Sequence, residues 1–137
     1  MSFEEDLTAR LEADATIAGI VGARIYWKIR PQRTDMPAIV IGTAFGARDQ
    51  HMDGPMGTQG NRMQFDCMAD GNSAKITAIA LRNAVLAVIE SAEVVGDTEF
   101  QGGLVNLYRD MVDDTTSDVV HTEMIDATIW FNELTTS

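Results

Sequence analysis

The sequence predicts an α+β fold: a mostly antiparallel, four- to five-stranded sheet packed against one long helix, with a short helix at the N-terminus. Three observations lead there. Residues 73–90 hold apolar side chains at helical spacing over the longest such stretch in the chain. Four other stretches, 38–45, 61–69, 99–113 and 119–132, alternate with the period of two that a strand requires. The 137 residues, 45% hydrophobic and 23% charged, have the size and makeup of one globular domain spanning 1–137.

Taken in order, Ser2 stands before Phe3-Glu4-Glu5 as a capping residue with acids in the first turn. Phe3, Leu7 and Leu11 then recur every four residues, which predicts a helix over about 3–13. A further turn, Thr16 to Val21, stops at Gly22. Ile25 to Ile29 is aromatic and β-branched and reads as a strand, and Pro31 and Pro37 bracket the connection that follows. Ala38 to Phe45 is a second strand with Ile39, Ile41, Thr43 and Phe45 on one face. Gly46 to Gly60 is glycine-rich, and its core, 47–60, reads as a long protruding loop of the kind that carries function. In Asn61 to Ala69, Met63, Phe65, Cys67 and Ala69 share a face.

Asp70-Gly71-Asn72 is a turn, and Asn72 or Ser73 caps the long helix Ser73 to Glu90. Ile76, Ile79, Ala80, Asn83, Leu86 and Ala87 trace its main stripe, broadened by Leu81, Val85, Val88 and Ile89. Glu99 to Asp113 is a strand with a bend or bulge expected at Gly102-Gly103. The last strand, Val119 to Asn132, places His121, Glu123, Ile125, Ala127, Ile129 and Phe131 on one face. Residues 133–137 carry no packing signal and read as a loose tail.

Ten Lys and Arg against 21 Asp and Glu give a net charge of -11, which opposes wrapping by nucleic acid. The charge is polarised. Arg24, Lys28, Arg30 and Arg33 occupy a stretch with no acid between Asp14 and Asp35, whereas eleven acids face one base, Arg109, from Glu90 onward. One reading is a solvated acidic face with scattered arginines. The other is a bipolar protomer whose basic patch meets a neighbour's acidic patch, a heterologous contact that closes into a ring when the rotation permits. No apolar run approaches the roughly 20 residues of a membrane span. The acidic N-terminus has no signal-peptide pattern.

Motifs for chemistry are sparse. The single cysteine, Cys67, excludes an intrachain disulfide and reads as a small core residue. His51 with Asp53, and His121 with Glu123 two residues on, have spacings a metal uses, but no third ligand completes either set. Their plainer reading is a solvated loop histidine and a strand-end histidine. Asp113, Asp114 and Asp118 lack the glycine and terminal glutamate of a calcium loop and read as a solvated turn. No nucleophile–base–stabiliser set and no phosphate cradle is present, so neither catalysis nor a cofactor or metal is expected.

The element pattern resembles a known family. Leu7 and Leu11 open it; Ala13-Asp14 and Ile17 to Val21 lead into Gly22-Ala-Arg-Ile-Tyr26. A Pro31-Gln32 step, Met36-Pro37-Ala-Ile-Val-Ile41, a glycine-rich loop, Met63-Gln-Phe-Asp-Cys-Met68, an alanine-rich helix and a closing Trp130-Phe131 strand follow. This is similar to the small tail-terminator (tail-completion) proteins of long-tailed bacteriophages and gene transfer agents, over nearly the whole chain.

The resemblance implies a structural virion protein that assembles as a homo-oligomeric, typically hexameric ring. Such a ring caps the tail tube, ends its growth, and joins a head-side connector or stopper protein, with DNA passing through the lumen unbound. It implies no membrane partner. It also implies an interface drawing on Arg24, Lys28, Arg30 and Arg33, on the loop residues Arg48, Asp49, His51, Met52, Asp53 and Met56, and on Asp113, Asp114 and Asp118. Two alternatives stand beside it: another head–tail neck or tail-tube component, and a small ligand- or metal-binding domain using His51, Asp53, His121 and Glu123.

Overall fold

The computed structural model describes residues 3–22, 24–27, 36–43, 52–53, 59–71, 73–96, 98–113 and 120–133. Their elements are α1 (Phe3–Ala13), α2 (Ala15–Val21), β1 (Ile25–Trp27), β2 (Ala38–Thr43), β3 (Met52–Asp53), β4 (Gln59–Asp70), α3 (Ala74–Ile89), β5 (Glu93–Val95), β6 (Thr98–Asp113) and β7 (Val120–Glu133). The class is α+β, as the alternating and helical stretches predict.

The sheet corrects the expected strand count and direction. It has seven strands in the order β1-β2-β4-β7-β6-β5, with β3 added on β4. It is mixed, because β1 runs parallel to β2 while the other pairs are antiparallel. Two strands consecutive in the chain, β1 and β2, therefore share a direction. The missed strands are the shortest ones. β3 lies inside the 47–60 segment, and β5 folds onto Thr98–Phe100 through Gly96, whose φ of 57° is left-handed. The helical layer holds three helices in place of one long helix and a short partner.

Local chemistry sets the helix boundaries. Between α1 and α2, the Asp14 carboxylate accepts from the backbone N–H groups of Thr16 (2.9 Å) and Ile17 (3.0 Å). This cap breaks one helical pattern into two helices and starts α2 a residue earlier than its apolar pattern suggests. Asp14→Ala is expected to cost about 1 kcal/mol, read as a lower midpoint in urea unfolding. Gly22 closes α2 at φ 59°. Ser73 occupies the N-cap position of α3 but makes no side-chain capping bond.

The core lies between the helices and one face of the sheet. Leu7, Leu11, Ile17 and Val21 from α1 and α2 join Leu81, Val85, Val88 and Ile89 from α3. They meet Ile39, Ile41, Phe65, Cys67, Ile125, Ala127, Ile129 and Phe131 from the strands. The expected faces of β4 and β7 are buried, as are Ile39 and Ile41 of the expected β2 face; Phe45 lies outside the described residues. The expected stripe of α3 is not the buried one. The helix buries Ala74, Ala78, Leu81, Val85, Val88 and Ile89, while Ile76 is 75% exposed. Because α3 is apolar nearly all round, its periodicity does not single out a face. The choice falls to the small residues Ala74 and Ala78, which cluster with Ala69 of β4 and let the helix close on the sheet.

Candidate functional site

The sheet register brings some of the sequence-predicted residues together and separates others. His121 and Glu123 of β7 are both buried on the helix-facing side. His121 Nε2 lies 2.5 Å from Glu123 Oε2, and Arg82 Nη1 of α3 donates to Glu123 Oε1 at 2.5 Å. Asp110 of β6 stands directly across the ladder from Glu123. Donor atoms of Asp110, His121 and Glu123 all lie within 4.8 Å of one another, a third ligand that sequence spacing did not reveal. Both oxygens of Glu123 are already engaged by protein groups. A cation there would replace the His121–Glu123 hydrogen bond and face the Arg82 guanidinium; as the side chains stand, the cluster ties α3 to β7.

The four-residue site of His51, Asp53, His121 and Glu123 does not assemble as one unit. Asp53 pairs with Gln59, and Gln59 pairs with Phe131. From Phe131 to His121 the strand runs about 33 Å. His51 lies outside the described residues.

A second buried charge couples α1 to the β5–β6 hairpin. Arg10 donates from Nε to Glu93 Oε1 (3.1 Å) and from Nη2 to the carbonyl and hydroxyl oxygens of Ser91 (both 2.7 Å). Its guanidinium lies 4.8 Å from the centre of the Phe100 ring. Burial pushes the Arg10 pKa down, opposed by Glu93. One helical turn away, the buried Asp6 accepts from Thr98 Oγ1 at 2.6 Å. Nothing in the sequence pairs Arg10 with Glu93; only the Leu7 and Leu11 stripe hints that its neighbours Asp6 and Arg10 are drawn inward.

The opposite face of the sheet sets polar groups among Val40, Met68, Met124 and Trp130. Arg62 binds Asp126 in a fork, Nε to Oδ1 at 2.9 Å and Nη2 to Oδ2 at 2.7 Å, and this carboxylate pushes the Arg62 pKa up. Asp66, half-buried further along β4 across from Met124, accepts from Gln64 Nε2 at 3.1 Å. Burial pushes its carboxyl pKa up despite that bond. A carboxyl whose pKa rises on folding binds its proton more tightly in the native state, so stability falls as pH climbs through that range. Asp66→Asn is therefore expected to melt with the wild type at pH 3. At pH 7 it should gain stability by less than about 1 kcal/mol, discounted for solvent access. Cys67 behind it is fully buried, and desolvation raises its thiol pKa, which removes the thiolate a nucleophile needs.

Of the expected interface residues, Arg24 is described: it donates to the carbonyls of Pro37 (2.8 Å) and Ile20 (3.3 Å), holding the start of β1. Lys28, Arg30, Arg33, Arg48, Asp49, His51, Met56, Asp114 and Asp118 lie outside the described residues. Met52, Asp53 and Asp113 sit on β3 and β6, with their side chains outside the description. Ile76, Val94 and Val112 are large apolar side chains left exposed. Among the described residues no helix is long and apolar enough to cross a membrane.

The comparisons with known proteins bear on this framework. The family model described as tail completion protein gp17 matches residues 5–128. A chain solved in the virion of a native gene transfer agent particle matches with a TM-score of 0.68 at 13% identity, covering 96% of this chain and 96% of that one. It shares the fold. No curated protein sequence matches the chain.

Proposed function

Because the chain belongs to the tail completion protein gp17 family, we propose that it is a structural virion protein acting as a tail terminator. In this reading residues 1–137 form one domain, six copies close into a homohexameric ring, and the ring sits at the head-proximal end of the tail. One side stops growth of the tail tube; the other receives a head-side connector or stopper protein. The ring assembles in the host cytoplasm, and the role is mechanical, with adhesion between copies in place of turnover. The observation that carries it is the family match over nearly the whole chain.

Two physical features support the reading. The net charge of -11 suits a lumen through which DNA slides without adhering. The split between the basic stretch Arg24, Lys28, Arg30, Arg33 and the acidic residues Asp113, Asp114 and Asp118 suits a head-to-tail contact. The double substitution Arg30→Glu and Arg33→Glu is expected to shift the oligomer toward monomer, more strongly at 50 mM than at 500 mM salt. Light scattering coupled to size exclusion reads the shift; an unchanged mass removes the bipolar contact.

Electron microscopy of particles carrying a tagged copy tests the position. Density at the junction of head and tail is expected. Density repeated along the tube would make the protein a tube component instead.

A further inference from the structure

Strand β6 has an outer edge that no described strand covers along most of its length. β5 pairs it only at Thr98–Phe100. From Gln101 to Asp113 the edge is open among the described residues, about 40 Å of backbone. Register shifts at Phe100/Gly102 and Val105/Leu107 twist its first part, but Leu107–Asp113 runs regularly against β7. Alternate residues of that stretch turn N–H and C=O away from β7, and Arg109, Asp110 and Val112 are exposed beside them. Such an edge is a template for another strand. At the far end of the same sheet, β1 also lacks an outer partner among the described residues.

We propose that β6 of one copy pairs with β1 of the next, so that the sheet continues from protomer to protomer around the ring. The assignment rests on the ring reading above and names the contact that closes it. The two edges match in level. Across the sheet, Tyr26 aligns with Val40, Asp66, Met124 and Arg109 in turn. A neighbour's β1 therefore meets β6 without sliding along the strand. They match in direction, because β1, β2 and β7 run one way and β4 and β6 the other. The new pair is antiparallel and keeps the core faces of both copies on one side.

In this register Arg24 falls across from Met111, with Asp113 as a diagonal neighbour on the same face. In register, Tyr26 of one copy stands across from Arg109 of the next, a pairing of ring and guanidinium. The contact joins different surfaces of identical copies, which is the type that closes into rings.

Directly opposed residues in an antiparallel pair have Cα atoms about 4.5–5.5 Å apart, within the span of a disulfide. The test combines Tyr26→Cys with Arg109→Cys in one chain, and in separate chains with Leu107→Cys or Met111→Cys to bracket the register. After mild oxidation, non-reducing gels of the Tyr26→Cys/Arg109→Cys protein are expected to show a ladder ending at the ring mass. Each single variant should give dimers at most. A particle of ring mass by light scattering, with no ladder from any of the three pairs, overturns the edge assignment and leaves the ring reading intact. A protein that stays monomeric at every concentration overturns the ring reading, and the edge contact with it.

Discussion

Glu123→Ala is expected to lower stability by about 3 kcal/mol, the low end for breaking a buried ion pair because Arg82 keeps some contact with water. For a domain of this size that is a fall of about 10 °C in Tm. The cost is larger than the value of the contacts themselves. The Glu123 side chain is 5% exposed and binds two donors from different elements. Truncating it removes the acceptor of Arg82 Nη1 and the partner of the buried His121 Nε2, and leaves a small cavity between α3 and β7. Glu123→Gln keeps the shape and two hydrogen-bonding atoms but removes the charge, so it should fall between the two.

Arg82→Ala combined with Glu123→Ala should cost less than the sum of the single changes, since the second removes a group the first has already stranded. Thermal melts of the four proteins measure this. Additive losses would mean that the α3–β7 clamp is not one unit.

The same cluster shows where sequence reasoning reaches and where it stops. Alternation placed His121 and Glu123 on one face of the last strand, and both are buried there. It could not supply Asp110 or Arg82. Asp110 arrives through the β6–β7 register, which bulges at Val105/Leu107 offset by one residue. Arg82 arrives because α3 packs on Ala78, Leu81 and Val85 rather than on Ile79, Asn83 and Leu86, a rotation that an all-round apolar helix leaves open.

The β4 face was legible because one side of Asn61 to Ala69 is apolar and the other polar, so a one-residue slip would bury Arg62 and Asp66. β3 and β5 were not, being too short for any period to emerge. The parallel β1–β2 pair was hidden for a different reason: the alternation within a strand does not encode the direction of its neighbour. The Arg10–Glu93 contact joins residues far apart in the chain, and no local pattern foretells it.

Gly103→Ala is the second change expected to act strongly, by about 2 kcal/mol. A Cβ at Gly103 would sit 2.7 Å from the Ile89 carbonyl oxygen, and 3.5 Å from that of Thr128. The Thr128 contact is an ordinary one, but the Ile89 carbonyl is backbone and does not swing aside as a long side chain would, so the last turn of α3 must lift from β6. The expected drop in Tm is about 7 °C. Gly42→Ala on β2 is the control, because nothing lies within 4 Å of a Cβ there. Its Tm should stay within about 2 °C of wild type, or rise slightly as the unfolded chain loses freedom. The contrast bears on assembly. Gly102, at φ 122°, and Gly103 together let the C-terminal end of α3 settle against β6 where the strand bulges. That contact fixes the strand whose open edge lies just beyond it. If Gly103→Ala left the monomer's melting point unchanged, α3 would not be seated on β6, and the helix would have no part in holding that edge in place.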